Sequence, residues 1–152
     1  YQNKKLDTML KALTDCNIKL FEKLLSGFVI ETFSFFDTEK TDVEKVYQAF
    51  LLGLLVSLSQ NYEVYSNRES GYGRYDISVI PKDISKKAII MELKTIDELE
   101  NETKDKALDS ALKQIEEKKY ETDIMKRGIK EIVKFAVVFD GKRVWVKESE
   151  KN

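Results

Sequence analysis

Two periods of apolar residues run along this chain, and the change from one to the other divides it. Leu6, Met9, Leu10 and Leu13 recur at helical spacing and predict a helix over residues 4–14. A second helix is expected to about Leu25, with Asp15 or Asn17 placed to cap it. The apolar and aromatic run Gly27 to Phe36 fits no single period. Thr41-Asp42-Val43-Glu44 opens a long helix to about Ser59, and Thr41 with Glu44 has the spacing of a capping box. After Tyr47 this helix is apolar nearly all round, so it is expected to be buried.

From there the pattern turns to strands. Tyr62–Arg68, Tyr75–Ile80 and Lys87–Thr95 read as three strands, joined by the turn Ser70 to Gly73 and the loop Pro81 to Lys86. Ala88-Ile89-Ile90-Met91 is apolar at every position, as a strand covered on both faces must be. A helix from about Glu98 to Lys118 carries the stripe Ala107, Leu108, Ala111, Leu112 and Ile115. Tyr120 to Arg127 continues as a short helix ending at Gly128. Glu131–Phe139 and Lys142–Lys147 are strands folded back at Asp140-Gly141. Helices, then three strands, a helix and two strands give an α/β (α+β) fold, a sheet with helices packed on it. Residues 1–40 read as an N-terminal helical extension and 41–152 as the core of one compact domain.

Composition narrows the chemistry. The chain has 152 residues, no histidine and one cysteine, Cys16. These numbers exclude Ser-His-Asp and Cys-His catalysis, His-ligated or Cys-ligated zinc, and an internal disulfide. Any site must use carboxylates, lysines, hydroxyls or a hard metal held by oxygen. Lys plus Arg is 26 against 27 Asp plus Glu, a net charge of −1, so no global field draws the chain to nucleic acid. No apolar run approaches the roughly 18 residues of a membrane span, and a cytoplasmic setting is expected. The chain begins at Tyr1, which reads as a piece of a longer protein.

Asp76, Glu92 and Lys94 form the constellation of interest. Residues two apart on a strand share a face, so Glu92 and Lys94 point one way and Leu93 the other. If the second and third strands pair as an antiparallel hairpin, Asp76 lies opposite Glu92. Two adjacent carboxylates repel, and Mg²⁺ or Mn²⁺ relieves that repulsion through oxygen ligands. A lysine beside them can hold a water or neutralise a phosphate. Asp/Glu-x-Lys occurs five times, at Glu92, Glu102, Glu116, Glu117 and Asp140, but only Glu92-Leu93-Lys94 follows an apolar strand. The bland alternative is a Glu92–Lys94 pair at a strand end.

The segments YQAFLLGLL (47–55), SNRESGYGRYDI (66–77), IIMELK (89–94), ALKQIEEKKY (111–120) and VVFDGKRVWV (137–146) resemble, in this order, the PD-(D/E)XK nuclease superfamily. More narrowly they resemble the nuclease-like domain found behind AAA-ATPase-like domains. The resemblance implies a restriction-endonuclease-like αβββαβ core, a mixed central sheet flanked by helices, with extra N-terminal helices. It makes Asp76 and Glu92 the metal-binding acids, with the Leu93 carbonyl beside them, and Lys94 the catalytic lysine. Gln114 and Lys118 match the polar positions on the following helix, where Gln114 reads equally as a buried amide bonded to backbone. Glu44 matches the glutamate that such nucleases carry on the first core helix, or is only the capping partner of Thr41. The implied function is Mg²⁺- or Mn²⁺-dependent phosphodiester hydrolysis of nucleic acid, DNA ahead of RNA. Arg68, Arg74 and Lys118 are candidate phosphate contacts and Tyr72 a candidate stacking residue. The basic groups Lys82-Lys86-Lys87 and Lys118-Lys119-Lys126-Arg127 would widen that footprint. The acidic stretch Asp97 to Glu102 reads as complementing the dipole of the helix after it. In one departure, relatives carry His after the tyrosine where this chain has Gln48. That departure keeps open an inactive nucleic-acid-binding or docking module, its partner an ATPase domain. The apolar helix at 47–58 and Trp145, on the opposite face from Val144 and Val146, leave room for a homodimer.

Overall fold

A computed structural model describes residues 2–33, 43–69, 74–96, 102–117, 120–141 and 143–149. Along the chain run α1 (Gln2–Thr14), α2 (Ile18–Phe33), α3 (Val43–Leu55) with a 3-10 turn at Val56–Leu58, β1 (Tyr62–Glu69), β2 (Arg74–Pro81) and β3 (Ala88–Thr95). Then follow α4 (Lys104–Glu117), α5 (Tyr120–Lys126), β4 (Ile132–Asp140) and β5 (Arg143–Glu148). The strands form one five-stranded sheet in the order β1-β2-β3-β4-β5. β3 and β4 are parallel and the other neighbours antiparallel, so the sheet is mixed. The α4–α5 segment is the crossover that a parallel pair requires.

Period two along the strands sorts the side chains into two layers. On one face Ile77, Val79, Ile89, Met91, Leu93, Phe135, Val137 and Phe139 pack with Met9, Leu13, Phe21, Leu25, Val29, Tyr47, Leu51 and Leu55 of α1, α2 and α3. On the other, Ile80, Ala88, Ile90, Ala136 and Val138 meet Ala107, Ala111 and Ile115 of α4 and Ile124 of α5. β3, apolar on both faces, sits in the middle of the sheet as its sequence requires. The edge strand β5 is blunted by Glu22 of α2, whose Oε2 accepts from Val146 N–H at 2.7 Å.

Three helices differ from their expected bounds by more than two residues. α2 runs on through Phe33, because its second half packs against β5 and its apolar surface is needed there. Of the two caps offered, Asn17 serves: its Oδ1 accepts from Leu20 N–H at 3.4 Å. α3 ends at Leu55 and is not buried all round. It faces β3 from one side only, so Tyr47, Leu51 and Leu55 form the fully buried stripe while Ala49 and Gly53 are exposed. α4 begins at Lys104, where Thr103 caps it by accepting from Lys106 N–H at 3.2 Å. Thr41 lies outside the described residues, and with it the expected capping box.

Two glycines do what their turns demand. Gly128 ends α5 at φ 97° and Gly141 turns the β4–β5 hairpin at φ 59°. Tyr47 fastens that hairpin to α3. Its ring stacks on Phe139 at 4.3 Å between centroids, and its hydroxyl donates to the Gly141 carbonyl. Burial pushes the Tyr47 hydroxyl above the usual tyrosine range, and Asp140 adds to the shift. The folded chain therefore keeps this proton where the unfolded chain releases it, so the stabilisation is intact below pH ~10 and lost as pH rises further. Tyr47→Phe keeps the stack and loses the hydrogen bond. It should cost about 1 kcal/mol at neutral pH, a fall in Tm of about 2–4 °C, and should soften the alkaline loss. Some alkaline loss should persist, because burial also raises Tyr62. Melting curves from pH 7 to about 11 check both effects.

Candidate active site

β2 and β3 pair antiparallel with Asp76 directly opposite Glu92. Both carboxylates are buried, at 0% and 1% exposure, on the face that carries α4 and α5. Lys94, two residues beyond Glu92, shares that face with its side chain still largely covered, although β3 begins to emerge from its cover at its last two residues. Leu93 points into the opposite layer at 3% exposure. The three polar groups lie near the end of the sheet where β3 and β4 finish, the end at which open α/β sheets bind ligands.

α4 can lie close over this face because its contact residues are small: Ala107 and Ala111 pack on Ala136 and Val138. Gln114 lies on the same helix, half-buried, with its Oε1 shielded from solvent. Glu44 falls in the first turn of α3, Arg68 in β1 and Arg74 in β2; their side chains lie outside the described set. Tyr72 and Lys118 lie outside the described residues altogether.

Gln48, where the resemblance implies a histidine, donates its amide N–H to the Ser66 hydroxyl. Ser66 is opposite Ile77, whereas Asn67 is opposite Asp76, so Ser66 faces away from the carboxylates. Gln48 thus fastens α3 to β1 on the far face of the sheet.

Of the two basic clusters, Lys82, Lys87 and Arg127 are engaged away from the carboxylates, while Lys118 and Lys119 lie outside the described residues. Lys82 Nζ donates to the Ser59 and Gln60 carbonyls at 3.1 Å each, and Lys87 lies 3.5 Å from Glu131, both at the opposite end of the sheet. Arg127 pairs with Glu63 at 2.9 Å and lies over the Tyr65 ring. The hydrogen bond from the Tyr65 hydroxyl, and after it the Arg127 pairing, holds Glu63 below the usual carboxylate range.

Glu102 is the residue that periodicity overlooks. Instead of merely complementing the α4 dipole, it accepts from Lys94 Nζ at 2.6 Å, with side-chain exposures of 17% and 12% for the pair. Its other oxygen, Oε1, is buried with no hydrogen-bond partner among the described residues. The Glu102-x-Lys104 spacing and the acidic stretch Asp97 to Glu102 both marked it, and neither says which lysine it meets.

The donor set fits a hard cation. Asp76 and Glu92 offer carboxylate oxygens side by side, with neither sulfur nor imidazole near, the preference of Mg²⁺ and Mn²⁺. No group of three or more His, Cys, Asp or Glu residues assembles for a metal among the described residues. Mg²⁺ is commonly bound through only one or two carboxylates, its other ligands being waters and substrate phosphates.

A mixed five-stranded sheet between helical layers, with an acidic pair and a lysine on adjacent central strands, defines a restriction-endonuclease-like fold. The sequence profile of the PD-(D/E)XK nuclease superfamily matches residues 42–149, and the chain belongs to that superfamily. Comparison with curated proteins and with solved structures gave no significant match. Among the described residues no helix is long and apolar enough to cross a membrane.

Proposed function

We propose that this protein is a divalent-metal-dependent nuclease, acting on DNA ahead of RNA, with Asp76, Glu92 and Lys94 as its working residues. The observation that carries the proposal is the buried, in-register pair Asp76–Glu92 with Lys94 on the same face. Two carboxylates brought side by side repel each other, and a divalent cation between them relieves that repulsion through oxygen ligands. Asp76, Glu92 and the Leu93 carbonyl would hold Mg²⁺ or Mn²⁺, with Glu44 as a further ligand. Such an ion supplies Lewis-acid stabilisation of charge on the phosphoryl group.

The remaining work belongs to the chain. The Lys94 ammonium has three N–H donors, and Glu102 engages one. The others can hold a water in line with the phosphorus and neutralise a phosphate oxygen. Gln114 orients the same phosphate or water from α4. Glu102 sets the direction of Lys94, which a four-carbon side chain would otherwise not hold.

A second reading, a non-catalytic module on this fold that docks on an ATPase domain, is favoured by the Lys94–Glu102 pair, which occupies the lysine. Metal binding separates the two. Saturating Mg²⁺ or Mn²⁺ at about 100 times Kd should stabilise the wild type by about 2.7 kcal/mol, some 5–10 °C in Tm, reversed by EDTA. Asp76→Ala should erase the rise. A melting curve indifferent to both metals, together with intact DNA after incubation, would leave only the docking module.

A further inference from the structure

Beside the carboxylates, at the same end of the sheet, the structure holds a cavity of about 610 Å³. Its walls include Trp145 and Arg143 from the start of β5, Thr103 and Lys104 at the start of α4, Ile30 of α2, and Glu102. We infer that this cavity takes an unpaired base of a nucleic-acid strand, stacked on Trp145, while the strand's phosphate lies on Lys104 and Arg143. The inference rests on the nuclease proposal for the adjoining carboxylates and gives it a substrate class, single-stranded or frayed nucleic acid.

Position is the first support. Glu102 both lines the cavity and bonds Lys94, so the two spaces share a wall. In register, Lys94 stands opposite Val138 and Val138 opposite Trp145, so lysine and indole lie in one row on one face. Two strand spacings separate them, roughly 10 Å, the reach of a neighbouring nucleotide.

Chemistry is the second. The cavity falls within the roughly 300–1,000 Å³ of small-ligand sites. It combines an aromatic ring, an apolar wall at Ile30 (54% exposed) and the exposed cations Lys104 and Arg143. Among the described residues the wall carries two acids, Asp140 and Glu102, and Lys94 already partners the Glu102 carboxylate.

Magnitudes decide what happens at the ring. The Lys104 ammonium lies 5.4 Å from the Trp145 ring centroid. An exposed cation–π contact is worth about 0.5–1 kcal/mol, whereas a base stacked on an aromatic side chain is worth about 1–3 kcal/mol. A base therefore displaces the ammonium, and the freed ammonium meets the phosphate that arrives with it. A base inside a duplex has both faces covered by its neighbours and cannot make this exchange.

Trp145 is the only tryptophan, so its fluorescence reports on the cavity directly. The whole chain, held in EDTA to prevent cleavage, is titrated with a short oligothymidylate, with its duplex on oligoadenylate, and with thymidine monophosphate. The expected result is saturable quenching by the single strand, about tenfold or more tighter than by the duplex or the monophosphate. Asp76→Asn should keep the quenching. Lys104→Glu/Arg143→Glu should lose it while melting as the wild type does. Equal quenching by the monophosphate, or a single strand that binds by anisotropy without quenching, overturns the inference. Cleavage without quenching removes the inference and leaves the nuclease standing. Quenching without metal-dependent cleavage supports the cavity as a single-strand site and removes the nuclease.

Discussion

Asp76→Asn is expected to abolish cleavage and to make the metal-free protein more stable. The side chain is fully buried, directly opposite a Glu92 that is 1% exposed. Asparagine keeps the shape and removes one of two like charges from a poorly solvated place. Both the mutual repulsion and one desolvation penalty fall. A gain of about 1 kcal/mol, or about 2–4 °C, is the expected scale, in line with other relieved functional sites. Activity should fall by about a thousandfold or more, since the chain loses an anionic ligand at the place where charge must be managed. The Tm rise with Mg²⁺ or Mn²⁺ should shrink with it. Should Asp76→Asn instead melt lower than the wild type in EDTA, the carboxylate serves the fold, and a catalytic assignment loses its physical basis.

Lys94→Ala should damage both activity and stability, and Glu102 tells the two apart. Loss of the ammonium removes the group that orients water and phosphate, a loss of about 10²–10⁴ in rate. It also strands Glu102, whose side chain is 17% exposed and whose Oε1 is already without a hydrogen bond among the described residues. Breaking a buried pair costs about 3–5 kcal/mol, and this partly open pair belongs at the lower end. Adding Glu102→Gln to Lys94→Ala should recover much of that stability, because the uncompensated charge is gone, but none of the activity. Glu102→Gln alone should keep measurable cleavage, with Lys94 less firmly aimed. A double-mutant cycle by thermal melting and by cleavage rate checks this. Additive stability losses would mean that the pair contributes nothing, and that Lys94 is held by something else.

The central part of the site was legible because it depends on period two. Once residues 75–80 and 87–95 are strands joined by a short loop, antiparallel pairing can bring Asp76 to Glu92, and the apolar run at 88–91 puts that pair in mid-sheet. Trp145 was likewise assigned to the face opposite Val144 and Val146. That this is also the carboxylate face follows only from the parallel β3–β4 register. Glu102 was opaque for the same reason. Its partner lies across a segment with no apolar period, and the charges at 97–106 give no hint of where α4 begins until Thr103 is seen to cap it. The second half of α2 escaped because its run of apolar and aromatic residues matches helix and strand alike. Packing against β5 decides between them.

Cleavage itself is the most direct measurement: single-stranded and duplex DNA and RNA incubated with the wild type and with Lys94→Ala, each with Mn²⁺, with Mg²⁺ and with EDTA. The wild type should cut in the presence of metal, stop in EDTA, and exceed Lys94→Ala by about 10²–10⁴. A folded wild type that cuts none of the four substrates with either metal, or a Lys94→Ala that cuts as fast, would show that Asp76, Glu92 and Lys94 are not a nuclease site.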